Sequence, residues 1–246
     1  MIYNKICLMV PTYSRVESLK RLIRSALENA ADRTSLCLSL CVNESDTDTR
    51  GYLNNADIPL EYDIVYEHTD QPNLALYFNM LYDRTRFSDP ETLVSMLGDD
   101  MYFLTPGWDA RILEEMNKRD GNAIIYCDDN FIAHEKLMVN VFTSRKIVEA
   151  TEKSFMCPKF HAEMIDVVWT NIGILTGTTV YLSDVKLQHD HQMKIKNPDE
   201  RDQTCKRLTP LRKLANTDSG QRYAGQYATL CAANMIKNGI GKWNTL

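Results

Sequence analysis

The sequence predicts an α/β protein with a mixed, mostly parallel central sheet flanked by helices, and three observations support this. Short β-rich runs alternate with helical patterns through roughly the first hundred residues, as in chains of βαβ units. Several of these runs are apolar along their whole length, which is typical of strands covered on both faces. The 246 residues, 44% hydrophobic and 25% charged, suffice for one domain with a sizeable core.

The elements follow in order along the chain. A buried strand over residues 5–10 is stopped by Pro11, and a helix follows, begun by a capping-box pattern of Ser14 and Glu17. Further strands are predicted over 36–42, 60–66, 93–97, 123–127 and 179–187. Further helices are predicted from Asn73, from Thr105, and near 144–153, 161–169 and 220–237. We expect a single domain, with a first half over residues 1–104 and a more irregular second half over 105–246.

Composition excludes several classes of protein. The net charge of −5 argues against a general nucleic-acid binder. No run of about eighteen apolar residues occurs, and the N-terminus leads straight into a strand, so a cytoplasmic protein without membrane insertion is expected. The seven cysteines are odd in number and spread along the chain, which indicates reduced, buried thiols. Residues 194–213 are locally basic, either as a solvated loop or as a contact for an anionic ligand.

The strongest chemical signal is the adjacent pair Asp99 and Asp100, at the end of an apolar strand. Open α/β sheets bind ligands at the carboxyl ends of their strands. Two neighbouring carboxylates repel each other there, and a divalent cation relieves this repulsion. A metal site is the sharper interpretation, and a turn-forming aspartate pair is the alternative.

Together these motifs resemble the family-2-like glycosyltransferases of the GT-A, Rossmann-like fold. Residues 97–109 (LGDDMYFLTPGWD) are similar to the acidic "DXD" region of that family and the helix behind it. Residues 10–15 (VPTYSR) resemble its opening "PTYNR" loop, and residues 36–46 fall where it carries a "VDDGS" loop. The resemblance covers about residues 5–128 well. It departs from the family at Gly98, where the first aspartate of a strict motif is expected, and in a missing arginine on the helix from Asn73.

The resemblance implies sites for donor and metal. Asp100 becomes the principal ligand of Mn²⁺ or Mg²⁺. A late histidine often completes the metal shell in this family, and we favour His191 over His189 for it. The implied donor contacts are Pro11, Thr12, Tyr13, Arg15, Asn43, Asp46, Asn73 and Asp99.

The acceptor half is expected to supply the catalytic base. The segment 160–169 is similar to the family's acceptor-side helix, which implies Asp166 as the base, with Glu163 in reserve. Trp169 is either an acceptor-stacking wall or a core residue. Asp129, in a second acidic pair, is a candidate acceptor contact, although a turn explains it adequately.

The resemblance implies transfer of a sugar from a nucleotide-sugar donor, expected to be a UDP-sugar, in a single inverting displacement. The acceptor is a saccharide, a protein or a small molecule, or a hydroxymethylated DNA base as in some compact viral relatives. A nucleotidyltransferase is a weaker alternative, because the loop after the first strand has no glycine to cradle phosphates. A non-catalytic nucleotide- or carbohydrate-binding module is the other alternative.

Overall fold

The structure is a computed structural model that describes residues 1–69, 73–131, 133–152, 154–157, 159, 160, 164–191 and 217–244. Within these residues eight strands form a mixed sheet with the order β3-β2-β1-β4-β7-β6-β8-β5. The strands are β1 (Lys5–Thr12), β2 (Leu36–Asn43), β3 (Glu61–Glu67), β4 (Thr92–Met96), β5 (Met101–Phe103), β6 (Ile124–Asp128), β7 (Val141–Ser144) and β8 (Thr179–His189). Strands β1 to β4 are mutually parallel, β7 runs antiparallel to both its neighbours, and β5 pairs antiparallel with β8.

Helices cover both faces of this sheet. They are α1 (Val16–Asn29), α2 (Thr47–Asn55), α3 (Leu74–Arg84), α4 (Trp108–Lys118), α5 (Arg145–Ala150), α6 (Ile165–Thr176) and α7 (Asp218–Lys237). Alternate residues of β1 enter different cores, because successive side chains of a strand point to opposite faces. Ile6 and Leu8 pack with α1, α2 and α4, whereas Cys7 and Met9 pack with α3, α5, α6 and α7. The predicted α/β class, with its mostly parallel sheet, is confirmed.

Two predictions about the end of β1 and the start of α1 were wrong. Strand β1 runs through Pro11 to Thr12, since β4 pairs only with Lys5–Cys7 and leaves the end of β1 open on that side. Ser14 does not cap α1. Its backbone lies in the left-handed region (φ 52°), and its N–H donates to the carboxylate of Asp46.

The described cysteines confirm the prediction of reduced, buried thiols. Six of the seven are free and buried, and Cys205 falls outside the described residues. The basic stretch 194–213 also falls outside them. No helix in the described part of the chain combines the length and the apolar character needed to cross a bilayer.

Candidate functional site

The candidate site lies where the carboxyl ends of β1 and β4 meet. These strands are parallel neighbours, so the loop after Thr12 and the turn after β4 share one edge of the sheet. The turn after β4 carries Asp99 and Asp100, and the loop after β1 carries Arg15. The sheet topology therefore brings the two motifs of the sequence into contact.

Asp99 is held by the loop after β1. Its side-chain Oδ2 accepts a hydrogen bond from Thr12 Oγ1 at 2.8 Å, and its Oδ1 accepts one from Arg15 Nη1 at 2.8 Å. The residue is only 4% exposed. Burial raises the pKa of Asp99 to about 6, with the neighbouring charge of Arg15 opposing the rise and that of Asp100 adding to it. Both oxygens are thus engaged by the protein itself.

The carboxylate of Asp100 lies between Arg15 and the end of β8. Its Oδ1 lies 3.6 Å from Nε2 of His189, and its Oδ2 lies 3.4 Å from Arg15 Nη1. The pairing of β5 with β8 sets Met101 opposite His189, and the N–H of Asp190 donates to the Asp100 carbonyl at 2.9 Å. These backbone contacts fix the histidine beside the carboxylate.

Gly98 gives Asp100 the space for this orientation. A Cβ atom built at residue 98 would lie 2.6 Å from Asp100 Oδ1, well inside van der Waals contact. The departure from a strict DXD motif therefore has a local consequence: the missing side chain leaves room for the carboxylate of Asp100.

The pair Asp100 and His189 fits a divalent metal ion by its chemistry. Two ligands held at about 2.0–2.2 Å from one ion lie roughly 3.0–3.6 Å apart, and the observed separation is 3.6 Å. Carboxylate oxygen and imidazole nitrogen are both ligands of Mn²⁺, whereas Mg²⁺ prefers oxygen alone. His189, the second choice from the sequence, therefore lies close enough to Asp100 to share an ion with it, and the preference for His191 stays a prediction.

His191 and Phe131 line the same corner. The rings of His189 and His191 are 5.0 Å apart edge to face, and Phe131 lies 6.3 Å from each. Phe131 belongs to the loop after β6, and no pattern in the sequence pointed to it. A residue in an irregular loop has no periodicity from which its neighbours could be inferred.

A second group of metal-ligating atoms in the described residues comprises Asp128, Asp129 and His134, with ligand atoms within 4.8 Å of one another. His134 Nδ1 lies 2.9 Å from Asp128 Oδ1. Asp129 is 1% exposed, and its carboxylate accepts backbone N–H groups of Phe131, Ala133 and His134. Its oxygens therefore organise the loop, and the contact of Asp129 with an acceptor stays a prediction.

The other expected donor residues have mostly internal partners. Asn43 donates to Glu67 and to the Thr69 carbonyl, and its Oδ1 accepts from Ser45, so its amide is fully used within the loop. Asp46 caps α2 through Thr49 N at 3.1 Å and also binds Ser14 N at 2.7 Å. Of the remaining positions, Pro11 is a buried residue of β1 and Tyr13 is a half-buried aromatic in the loop after it. Asn73 is the N-cap of α3.

These contacts change the expected roles of Asn43 and Asp46. Both shape the loops at the carboxyl edge of the sheet, and a direct contact of either side chain with a base or ribose would have to replace an existing hydrogen bond. Tyr13 keeps partial exposure in the same loop and is the better candidate for a contact with the nucleoside.

Asp166, the expected base, lies in the first turn of α6 and is half-buried. Its Oδ1 accepts from the N–H of Val167 at 2.8 Å. Trp169 is 2% exposed and packs against Phe155, with ring centroids 5.5 Å apart, so it is a core residue and not an acceptor-stacking wall. Glu163 lies outside the described residues.

Solved structures share this architecture over nearly the whole chain. S. aureus TarS 1–349 matches with a TM-score of 0.60 and 10% identity, covering 95% of this chain and 72% of that structure. The same fragment in complex with UDP-GlcNAc gives a TM-score of 0.60, 10% identity and coverage of 95% and 73%. The chain has a glycosyltransferase fold.

A third similar structure is the mannosyltransferase PcManGT from Pyrobaculum calidifontis in complex with GDP-Man and Mn²⁺. It matches this glycosyltransferase fold with a TM-score of 0.59 and 13% identity, covering 98% of this chain and 76% of that one. No protein-family model and no curated protein sequence matches the chain. At these identities the likeness establishes the fold and not the activity.

Proposed function

We propose that this protein is a metal-dependent glycosyltransferase that moves a sugar from a nucleotide-sugar donor to an acceptor hydroxyl. The observation that carries the proposal is the adjacent pair of buried Asp99 and half-buried Asp100 at the carboxyl edge of the sheet, with His189 Nε2 3.6 Å from Asp100 Oδ1. Open α/β sheets bind ligands at the carboxyl ends of their strands, which supports this edge as the place for a donor. Similar solved structures hold UDP-GlcNAc, UDP and GDP-Man, which supports a nucleoside diphosphate sugar as the donor class.

In this proposal the two aspartates have different tasks. Asp100 and His189 hold Mn²⁺ or Mg²⁺, and Mn²⁺ is the better match because one ligand is an imidazole. Asp99 stays with Thr12 and Arg15 and keeps the turn in place. The bound ion supplies positive charge for the leaving diphosphate. A UDP-sugar is the expected donor, with Tyr13 near its nucleoside.

The acceptor hydroxyl needs a base, because a neutral alcohol is a poor nucleophile near pH 7. We assign this role to Asp166 at the start of α6 in the acceptor half, and we propose a single inverting displacement. The acceptor class is a saccharide, a protein, a small molecule or a hydroxymethylated DNA base.

The proposal is tested by incubating the protein with UDP- and GDP-sugars, with Mn²⁺ or with EDTA, and following donor consumption. Donor turnover that requires metal and disappears in Asp100→Asn is the expected result. The acceptor is then sought by mass spectrometry with one labelled donor. Tight nucleotide binding without turnover of any donor would instead indicate a non-catalytic binding module.

A further inference from the structure

Phe131 differs from the other phenylalanines of this chain in its surroundings. The sequence contains seven phenylalanines, and all of them fall within the described residues. Six are at most 6% exposed and belong to one of the two apolar cores: Phe78, Phe87, Phe103, Phe142, Phe155 and Phe160. Phe131 is half-buried and is a member of neither core of the described residues. Its ring therefore does not serve the packing that holds the helices to the sheet.

The loop after β6 holds Phe131 in a defined place. The buried carboxylate of Asp129 accepts the N–H of Phe131 at 3.4 Å and that of His134 at 2.8 Å. Asn130 has a left-handed backbone (φ 46°), and its Nδ2 donates to Oε1 of Gln188 on β8 at 2.7 Å. A side chain on an anchored loop loses little conformational entropy when a ligand arrives, so its contact contributes more to affinity.

Phe131 lies on one side of the proposed ion site, and the loop after β1 lies on the other. Strands β4 and β6 are both antiparallel to β7, so the loops that follow them share the carboxyl edge. The strand order β1-β4-β7-β6 places the turn with Asp100 between the loop after β1 and the loop after β6. The Phe131 ring centroid is 6.3 Å from that of His189. Phe131 is thus close to the proposed ion, on the side away from Tyr13.

The parts of a nucleotide sugar follow one another as nucleoside, diphosphate and sugar. With the nucleoside near Tyr13 and the diphosphate at the ion, the sugar extends toward the loop after β6. A pyranose ring carries hydroxyl groups around its rim and C–H groups on its faces. The face of an aromatic ring is electron-rich and attracts such weakly positive C–H groups. Phe131 therefore offers an apolar surface of the right chemistry at the place that the sugar reaches.

We propose that Phe131 is the binding platform for the sugar ring of the donor. This rests on the proposed function, because it takes the ligand to be a nucleotide sugar and the ion to lie at Asp100. It adds to the donor site a residue from the loop after β6, and it makes Phe131 responsible for affinity toward the sugar instead of the nucleotide. A residue that merely supported His189 would act on the ion, and the two roles predict different measurements.

The test compares a donor with its own nucleotide by calorimetry in the presence of Mn²⁺. The probes are UDP-glucose, UDP-GlcNAc and GDP-mannose, and the one that the wild type binds most tightly is used further. Phe131→Leu should bind this donor about three- to tenfold more weakly and should bind UDP or GDP as the wild type does. Phe131→Tyr keeps the ring and should retain donor affinity. Mn²⁺ affinity with nucleotide present, followed by the EPR signal of free Mn²⁺, should be unchanged in Phe131→Leu.

Tyr52→Leu is the matched control, since Tyr52 is a half-buried aromatic of α2 whose ring lies 5.1 Å from Lys20 Nζ. This variant should bind donor and nucleotide as the wild type does. An equal loss of donor and nucleotide affinity in Phe131→Leu, or no loss of either, would overturn the inference and leave the proposed function standing. A wild-type protein that binds neither nucleotides nor donors would overturn both.

A second measurement needs no variant. In wild-type protein deuterated everywhere except at the phenylalanine rings, transferred NOEs should appear between these rings and the sugar protons of the donor. Because the other six phenylalanines are buried in the cores, such NOEs identify Phe131. If Phe131→Leu fails to fold, this measurement decides, and a bound donor without NOEs from phenylalanine to its sugar refutes the inference.

Discussion

His189 Nε2 lies 3.6 Å from Asp100 Oδ1, although the two residues belong to different halves of the chain. The contact is produced by the pairing of β5 with β8, which sets Met101 opposite His189. His191 lies beyond the end of β8, and its ring packs edge to face against His189. The two histidines therefore have separable roles that mutation can distinguish.

The first prediction concerns these histidines. His189→Ala should lower Mn²⁺ affinity, measured with UDP present, by about tenfold or more, because it removes one of the two proposed ligands. His191→Ala should have the smaller effect, since its ring supports His189 from the side. The measurement is again the EPR signal of free Mn²⁺. A larger loss in His191→Ala than in His189→Ala would restore the sequence-based preference for His191.

The second prediction concerns Gly98. Gly98→Ala should lower turnover by roughly a hundredfold, since the new methyl group displaces the Asp100 carboxylate from a position 2.6 Å away. The fold should persist, because the displaced atom is the end of a side chain. Gly51→Ala is the matched control: no atom lies within 4 Å of its added Cβ, and it sits inside α2. That variant should keep full activity and gain about 0.5–1 kcal/mol in stability.

A third prediction tests the catalytic base. Asp166→Asn should lower turnover about a hundred- to ten-thousandfold and leave UDP affinity unchanged, because the base acts on the acceptor and not on the donor. Glu163→Gln serves as the control and should remain active. Normal turnover in Asp166→Asn with a dead Glu163→Gln variant would transfer the role to Glu163. Retention of the donor's anomeric configuration in the product would contradict a single displacement.

The fourth prediction is a pH dependence of stability that originates in α4. Glu115 accepts hydrogen bonds from Arg111 at 2.5 Å and from Lys118 at 3.2 Å, and also from Arg119. These partners, Arg111 first, lower the pKa of Glu115 to about 2. A lowered folded-state pKa stabilises the protein above the unfolded pKa of 4.5, and this contribution is lost as the pH falls toward about 2.

Glu115→Gln should therefore reduce the free energy of unfolding by about 1–2 kcal/mol at pH 7, a value discounted because the basic partners are partly exposed and screened. The difference from the wild type should disappear near the folded pKa of about 2. Urea unfolding across this pH range provides the measurement. Glu114→Gln, on the solvent side of the same helix, should change stability by less than about 0.5 kcal/mol. An equal effect of both substitutions at pH 7 would show that burial of Glu115 is irrelevant.

Local sequence patterns predicted most of the parallel half of the sheet. The strand expected over 36–42 is β2 (Leu36–Asn43), and Asn73 caps α3 as expected, with its Oδ1 accepting from Leu76 N at 2.9 Å. Continuous apolar runs and capping residues can be recognised within a short stretch of sequence. Burial in the folded protein stabilises the same elements that these patterns predict. The acidic pair at the end of β4 was likewise visible from the sequence alone.

The missed elements depend on distant partners. Strands β5 and β7 have three and four residues, too few for a period to be recognised, and they exist because β8, β4 and β6 pair with them. Helix α2 is polar, and its N-cap Asp46 was expected to bind the donor instead. The choice between His189 and His191 was missed for the same reason. Alternation along a strand predicts the same side for both residues, and the pairing of β5 with β8 is what sets His189 opposite Met101.

The pairing of β8 with both β6 and β5 affects the order in which parts of the structure can form. Its first residues pair with β6 and its last residues with β5, so His189 reaches Asp100 only when a late segment of the chain has docked onto an early one. A chain that ends shortly after β6 already contains both aspartates, but it lacks the imidazole. The corner proposed to bind the ion is therefore complete only when β8 is in place, and a fragment without β8 lacks one of the two proposed ligands.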